Sequence, residues 1–266
     1  MFVVVNRLCY LAVAAIFCLS TGNGFGSEVS PASSTSEAKI PLAREILSAA
    51  HQLVELRTPY KMTYPRIAYP GGDIAAREGL CCDVIIRALR AAGIDLQELV
   101  YEDYRGNMAP YLKARMNFQQ GISKSWAHRR TALLDVFLQR HAATLANRYT
   151  PETADQWQPG DIVIFKRNGW ETWHIALVSD ATSQANGEPM LIDAWQEPGY
   201  VSDTHSLSSY GAVGGHYRIP ESLRDKLPEA HCQRAREAWM SFVEKGQDTR
   251  LAGSRSRTAA GFSPRG

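Results

Sequence analysis

Two adjacent cysteines, Cys81 and Cys82, follow a paired-glycine turn and stand where a helix is expected to begin. The stretch is Tyr69-Pro-Gly-Gly-Asp73, followed after five residues by Gly79-Leu-Cys-Cys-Asp83. A thiol at a helix N-terminus meets the positive end of the helix dipole and unpaired backbone N–H groups, and both favour the thiolate. Because the thiolate is the reactive nucleophile, the position predicts covalent chemistry if a base lies nearby. Without a base, a disulfide or a metal site is the alternative.

A base and its orienting partner are available on two predicted strands. His174 begins one strand directly after a polar loop, and Asp193 lies near the end of the next. A hairpin loop over residues 181–186 would place the two opposite each other, with Cβ atoms about 5 Å apart. Asp193 would then accept a hydrogen bond from the imidazole and fix its orientation. Each residue alone has a common structural explanation, but the combination with a thiol favours catalysis.

Other residues have two interpretations each. Arg129 and Arg130 follow His128 and could bind a substrate anion through the guanidinium fork, or they could hold a long loop by salt bridges. Trp173 lies beside His174 and could line a substrate groove or pack in the core. No Cys-x-x-Cys or His-x-x-x-His spacing supports a zinc site, so we expect no metal and no cofactor.

The N-terminus has the pattern of a secretory signal peptide. Arg7 precedes an apolar run of about a dozen residues and then Gly22, Gly24 and Gly26, and a dozen residues is short for a membrane-spanning helix. We therefore expect a signal peptide over residues 1–26, a flexible leader over 27–40, and a periplasmic or secreted protein with no membrane association after cleavage. An uncleaved membrane anchor is the alternative. The net charge of +2 gives no support for nucleic-acid binding.

Signal removal leaves three cysteines, namely Cys81, Cys82 and Cys232. An odd number in an exported protein leaves at least one thiol free. A Cys82–Cys232 disulfide would leave Cys81 as that thiol, whereas a bond between adjacent cysteines would be strained.

The elements that must position these residues follow from periodicity. Helices are predicted at 42–57, 82–92, 131–145 and 223–245, the last broken near Pro228, and residues 101–127 are predicted to be a long loop with short helical pieces. Strands are predicted at 162–165, 174–178, 190–194 and 216–219. Helices before strands indicate one α+β domain over residues 41–245, with N-terminal helices packed on a small antiparallel sheet. Residues 246–266 read as a disordered basic tail.

Several stretches together resemble the NlpC/P60 papain-like cysteine peptidase superfamily and, more closely, the bacterial domain-of-unknown-function 1287 family. These stretches lie between about residues 45 and 220. They are Tyr69–Asp73, Gly79–Arg90, Gly93–Gln97, His128–Arg130, Pro159–Val163, His174–Asp180 and Gly215–Arg218. The resemblance implies an NlpC/P60-like papain-type fold.

The resemblance also implies residue roles. Cys81 is the implied nucleophile, His174 the base and Asp193 the orienting residue, while Tyr69 is implied to lie near the thiol and assist the oxyanion. The chain departs from its relatives where they usually carry Thr and it has Cys82, which blurs which thiol acts. It departs again near Asp193, where the closer family usually shows His-Asn.

We therefore expect an exported, monomeric cysteine hydrolase that cleaves an amide bond, with a peptide or peptidoglycan-like substrate as partner. An acyltransferase with the same triad, a non-catalytic module that binds cell-wall fragments, and a zinc protein are the alternatives.

Overall fold

The chain folds into a mixture of helices and one antiparallel sheet. The computed structural model describes residues 40–75, 78–114, 121–168 and 171–260, with the backbone alone beyond residue 248. These residues belong to one compact unit. The helices are α1 (Leu42–Leu56), α2 (Cys81–Ala91), α3 (Leu96–Gly106), α4 (Met108–Ala114), α5 (Thr131–His141), α6 (Glu221–Asp225) and α7 (Glu229–Ala260). The strands are β1 (Ala143–Thr144), β2 (Ile162–Arg167), β3 (Glu171–Thr182), β4 (Pro189–Ala194), β5 (Val201–Ser206) and β6 (Ala212–Arg218). The α+β class predicted from the sequence is confirmed.

The six strands lie in the order β1-β6-β2-β3-β4-β5, and each pair is antiparallel. Side chains alternate between the two faces of a strand. Ile162 and Ile164 of β2 therefore join the core that the helices share, while Val163 and Phe165 join a second apolar cluster on the other face. The central strands are thus buried on both sides and form a rigid base for the site.

Helix α2 is the central helix of the molecule. Its residues 81–90 are all buried, between α1 and α7 and against β3 and β4. A helix that is enclosed all round is a core helix. At its N-terminus the backbone N–H of Leu80 donates to Asp83 Oδ2 at 2.8 Å, and the N–H of Asp83 donates to the carbonyl of Leu80 at 2.9 Å. This reciprocal cap fixes the first turn, which carries both thiols, next to the sheet.

The segment that the sequence predicted as a long loop is largely helical. Helix α3 begins at Leu96, because Asp95 accepts a hydrogen bond from the Gln97 N–H at 3.2 Å and caps it. Helix α4 follows after one residue, and its Tyr111 is buried with the hydroxyl donating to Asp103 at 2.6 Å. Polar side chains cover the exposed faces of both helices, so the apolar period of the sequence is weak.

The C-terminal segment and the edge of the sheet differ from what the sequence predicted. Helix α7 continues to Ala260, so the predicted disordered tail from residue 246 begins inside a helix; the Ala and Arg residues of this segment have high helix propensity. Strand β5 was not predicted, because its sequence, VSDTHS, is mostly polar. The predicted signal peptide and almost all of the leader lie outside the described residues. Among the described helices, none has the length and apolar character that crossing a bilayer requires.

Candidate active site

His174 and Asp193 form a buried pair on the neighbouring strands β3 and β4. The His174 Nε2 donates to Asp193 Oδ2 at 2.7 Å, and neither side chain is exposed to solvent. The hairpin register differs from the predicted one: Leu177 pairs with Ile192 and Thr182 with Pro189, so the connecting loop is 183–188. Asp193 is therefore a diagonal neighbour of His174 rather than its direct partner. Alternation still places both on one face, within side-chain reach.

Aromatic side chains enclose the imidazole of His174. Its ring centroid lies 4.0 Å from that of Tyr210, 5.1 Å from Trp195 and 5.6 Å from Trp173. Trp173 and Trp195 also contact each other edge to face at 5.2 Å, and both are half-buried. Because these rings keep water from the His174–Asp193 hydrogen bond, the interaction is stronger than it would be in solvent.

The charge balance of the pair favours a protonated imidazole beside a carboxylate. Burial acts to lower the pKa of His174, but the hydrogen bond to Asp193 and the interactions with Cys81 outweigh it and raise the pKa to about 9. Burial acts to raise the pKa of Asp193, but hydrogen bonds from His174 and His205 keep it below its usual value.

Cys81 is the first residue of α2, and its thiol lies against His174. A hydrogen bond from Cys82 lowers the pKa of Cys81, whereas burial raises it. The hydrogen bond and the charge of His174 lower the pKa of Cys81 further, as does a hydrogen bond from the Ile175 N–H. The result is a pKa well below the usual value of a thiol. His174 Nδ1, the ring nitrogen that Asp193 leaves free, has no hydrogen-bond partner of ordinary geometry among the described residues. The thiol and the imidazole are therefore close to each other without an aligned hydrogen bond.

Cys82 has the opposite character. Burial, followed by the hydrogen bond and the charge of Cys81, raises the pKa of Cys82 well above its usual value, and its sulfur lies 3.5 Å from Thr131 Oγ1. The Cys82–Cys232 disulfide that the sequence left open is not formed, since all three cysteines that the structure describes are free. Cys232 packs against Gly93, just beyond the C-terminal end of α2. Cys82 stands at the other end of this 11-residue helix, about 16 Å away, whereas a disulfide needs Cα atoms within about 7 Å.

Tyr69 does not lie beside the thiols, although the resemblance implied it. Its hydroxyl donates to Glu102 Oε1 at 2.9 Å, and the glycines that follow it bind the far end of α2. There the Gly71 N–H donates to Asp95 and the Gly72 N–H to Gln97, both at 2.9 Å. The paired-glycine turn is thus adjacent to Cys81 in sequence but anchored at the opposite helix terminus.

Two other tyrosines occupy the surroundings of the thiols. Burial raises the pKa of Tyr60, and the charges of Cys81 and then Cys82 raise it further. Burial and the charge of Cys82 raise the pKa of Tyr64 to about 12, against the opposing charge of Arg130. Tyr60 also contacts Trp195, with ring centroids 5.8 Å apart. Tyr60 was not predicted from the sequence, and its position nine residues before Tyr69 gave no signal.

Arg129 holds the fold rather than facing a substrate. It is 1% exposed, its Nε and Nη2 donate to Asp83 Oδ1 and Oδ2 at 2.7 and 2.9 Å, and its Nη1 donates to the Thr63 carbonyl at 2.6 Å. The salt-bridge interpretation of Arg129 is therefore correct. The Arg130 guanidinium lies over the Tyr64 ring at 3.7 Å, beside the thiol surroundings, and is half-buried.

His205 and Tyr210 also belong to the site and were not expected from the sequence. His205 lies on β5, with Nδ1 3.1 Å from Asp193 Oδ1, and the Tyr210 hydroxyl lies 2.8 Å from the same nitrogen. Their segment has no apolar alternation that would have marked a strand facing the site. The described residues contain no group of three or more His, Cys, Asp or Glu side chains arranged to hold a metal ion.

Comparison with known proteins gives a family match and weaker structural likenesses. Residues 47–219 match the family model described as a domain of unknown function, DUF1287. The chain is 33% identical over 173 residues to "Uncharacterized protein YijF" of Escherichia coli strain K12, covering 65% of this chain and 80% of that protein. Two crystal structures of an N-acetylmuramoyl-L-alanine amidase from Bacteroides uniformis each align with a TM-score of 0.38. They are 13% and 15% identical and cover 66% of this chain and 97% of theirs. A likeness at this score supports no inference.

Proposed function

The chain belongs to the DUF1287 family, and we propose that it is an exported cysteine hydrolase that cleaves an amide bond with Cys81, His174 and Asp193. One observation carries the proposal. A buried carboxylate holds an imidazole at 2.7 Å, and that imidazole lies beside a thiol whose pKa is lowered at a helix N-terminus. Nucleophile, base and orienting residue in this order are the requirements of covalent acyl transfer.

In the first step the Cys81 thiolate attacks the carbonyl carbon, a carbon–sulfur bond forms, and the carbonyl oxygen takes up the negative charge. Cys81 and Cys82 occupy the first turn of α2, where backbone N–H groups have no partner within the helix and can donate to this oxyanion. The Tyr60 hydroxyl is a second donor, because its raised pKa keeps it protonated at neutral pH. It takes the role that the resemblance gave to Tyr69.

In the second step the carbon–nitrogen bond breaks. The His174 imidazolium gives its Nδ1 proton to the departing amine, which leaves an acyl group on Cys81. His174 then removes a proton from a water molecule, and the resulting hydroxide displaces the thiolate and releases the acid. Asp193 stays ionised throughout, because its hydrogen bonds keep its pKa low, and it stabilises the imidazolium each time it forms.

The fold and substrate class are part of the proposal. A helix with the thiol at its N-terminus, packed against an antiparallel sheet that carries the histidine, supports a papain-type NlpC/P60 arrangement. The expected signal peptide directs the protein to the periplasm or outside the cell. In that location, and by analogy with the superfamily, the peptide bonds of peptidoglycan are the favoured substrate.

Product analysis tests the function. The mature protein is incubated with purified peptidoglycan fragments, and products are read by mass spectrometry. We expect fragments that have gained one water molecule, and none with Cys81→Ala. Cys232→Ala is the matched control, since this thiol is also buried but lies at the far end of α2, and it should retain activity. Transfer of the acyl group to an added amine instead of water would identify an acyltransferase. Intact binding with no turnover by the native protein would contradict the proposal in favour of a binding module.

A further inference from the structure

Asp193 is held from two sides by two different histidines. Its Oδ2 accepts from His174 Nε2 at 2.7 Å, and its Oδ1 lies 3.1 Å from His205 Nδ1. The second contact comes from β5, the edge strand beyond β4. Asp193 is fully buried and His205 is 19% exposed. The carboxylate thus lies between the imidazole beside the thiol and one that reaches the surface.

The partners of His205 Nδ1 define which atom carries the proton. A carboxylate can only accept, so a 3.1 Å contact with Oδ1 requires a hydrogen on Nδ1. The Tyr210 oxygen, 2.8 Å away, accepts a share of the same hydrogen. The Tyr210 hydroxyl in turn donates to Asp193. This hydrogen bond lowers the pKa of the carboxyl group further, in addition to the hydrogen bonds from the two histidines. His205 and Tyr210 are therefore both donors to one buried carboxylate.

An irregularity in β5 aims His205 at this carboxylate. Leu191 pairs with His205, but Asp193 pairs with Ser202, so two steps along β4 correspond to three steps along β5. One extra residue in an antiparallel strand is a β-bulge, a feature that re-aims side chains next to active sites. Ser202, which lies directly opposite Asp193, leaves room for the diagonal approach of the larger imidazole.

We propose that His205 is a positioning residue that acts through Asp193. Its Nδ1–H fixes the rotation of the carboxylate so that Oδ2 meets His174 Nε2, and Tyr210 supports this arrangement from the segment that follows β5. The inference rests on the proposed function, because it assigns His205 a part in the same site. His205 itself takes no part in the making or breaking of bonds.

The consequence of losing this donor can be measured on the thiol. The groups that face Asp193 are His174 from β3, His205 from β5 and Tyr210 from the segment after β5. The groups that face the Cys81 thiol are His174, Cys82 beside it on α2, and Tyr60 from the segment after α1. Without the donor on Oδ1, the carboxylate can rotate so that Oδ2 no longer meets His174 Nε2, and it then supports the His174 imidazolium less well. The Cys81 thiolate should consequently form only at higher pH.

The experiment measures the iodoacetamide alkylation rate of Cys81 against pH in the full mature protein. His205→Gln removes the donor from the Nδ1 position while it keeps a polar side chain of similar size. His205→Asn keeps an N–H where Nδ1 stands. We expect the acid limb of the Gln variant to move up by about one pH unit, and that of the Asn variant to stay near the wild-type position. Tyr210→Phe, which keeps the ring packing, should shift the limb in the same direction by less.

Equal profiles for the wild type and His205→Gln, or equal shifts for Asn and Gln, would overturn the inference. Thermal melts of each variant show whether it folds, and if His205→Gln does not, the Tyr210→Phe profile decides. Failure of the proposed function is seen separately, because Cys81 would then show no enhanced reactivity in the wild type itself.

Discussion

At the scale of single residues, Cys81 and Cys82 are neighbours in sequence with opposite chemistry. Both are buried, but Cys81 receives the hydrogen bond of Cys82 and the interactions of His174, which lower its pKa. Burial, and then the hydrogen bond and the charge of Cys81, raise the pKa of Cys82. The pair therefore favours one protonation state, with Cys81, the proposed nucleophile, as the thiolate and Cys82 as the thiol that donates to it.

The assignment of the oxyanion donor to Tyr60 rather than Tyr69 can be tested at the scale of single residues. Tyr60→Phe removes a donor to the developing oxyanion and should lower kcat by about 10²-fold or more. Tyr69→Phe is the matched control, because this hydroxyl is bound to Glu102 at a distance from the thiols. It should leave kcat unchanged. Steady-state kinetics on the substrate found by product analysis measure both. A larger loss for Tyr69→Phe than for Tyr60→Phe would contradict the assignment.

Residue types and spacing carried much of the information about the site. Cys81, His174 and Asp193 were predicted because each stands near the end or start of an element with clear periodicity, and the structure brings them together. Tyr60 and His205 were not, because one lies in a proline-interrupted extended segment and the other in a polar edge strand. Tertiary packing alone brings them to the site.

At the scale of elements, the N-terminus of α2 is held in place by Arg129. This guanidinium joins the segment before α5 to Asp83 in the first turn of α2, and both side chains are nearly inaccessible. A buried ion pair contributes most visibly when one partner is removed, since the other charge is then left unpaired. The Arg129–Asp83 ion pair, called the clamp below, therefore positions the turn that carries the thiols.

Removal of this clamp should destabilise the protein strongly. Arg129→Met is expected to lower the free energy of unfolding by about 3–5 kcal/mol, because Asp83 becomes an unpaired buried charge. Arg105→Met removes an exposed pair with Glu102 and should change it by less than about 1 kcal/mol. Urea unfolding followed by tryptophan fluorescence measures both. Similar values for the two variants would show that Arg129 is not a structural clamp.

The elements also show where sequence patterns lose information. Helices α1, α2, α5 and α7 and the central strands followed from apolar periodicity, whereas α3 and α4 did not. The β3–β4 register depended on a loop whose bounds, 183–188, no pattern specified. The paired-glycine turn binds the far end of α2 through Asp95 and Gln97. Closeness in sequence to Cys81 was therefore a misleading guide to closeness in space.

At the scale of the whole molecule, a second buried carboxylate links the neighbouring strands β2 and β6. Asp161 precedes β2 and accepts from His216 Nε2 at 2.9 Å and from Arg218 at 2.7 and 2.8 Å, both on β6. Burial acts to raise the pKa of Asp161, but the hydrogen bonds from His216 and Arg218 outweigh it and lower the pKa. This links the Pro159-Gly160-Asp161 turn to the last strand.

Because of this link, the free energy of unfolding should decrease when the solution is acidified. A carboxyl group whose pKa is lowered by folding stabilises the native state above its unfolded pKa of about 4, and this contribution is lost as the pH falls through the folded value. Asp161→Asn should therefore lower the melting temperature at pH 7 and flatten its decline below pH 4. Asp180→Asn, at a side chain that is 56% exposed, should change neither. Calorimetry between pH 2 and 7 measures the effect, and an unchanged acid slope for Asp161→Asn would refute it.

The central claim is that folding activates Cys81 through His174, and a pulse of iodoacetamide at several pH values tests it most directly. Tandem mass spectrometry assigns the label to Cys81, Cys82 or Cys232. We predict that Cys81 of the wild type reacts at pH 6 nearly as fast as at pH 8, whereas Cys82 and Cys232 react only after unfolding. In His174→Ala the Cys81 rate should fall at pH 6 and rise with pH, because the hydrogen bond and the charge of His174 no longer lower the pKa of the thiol. Identical pH profiles for Cys81 in the two proteins, or preferential labelling of Cys82, would contradict the account.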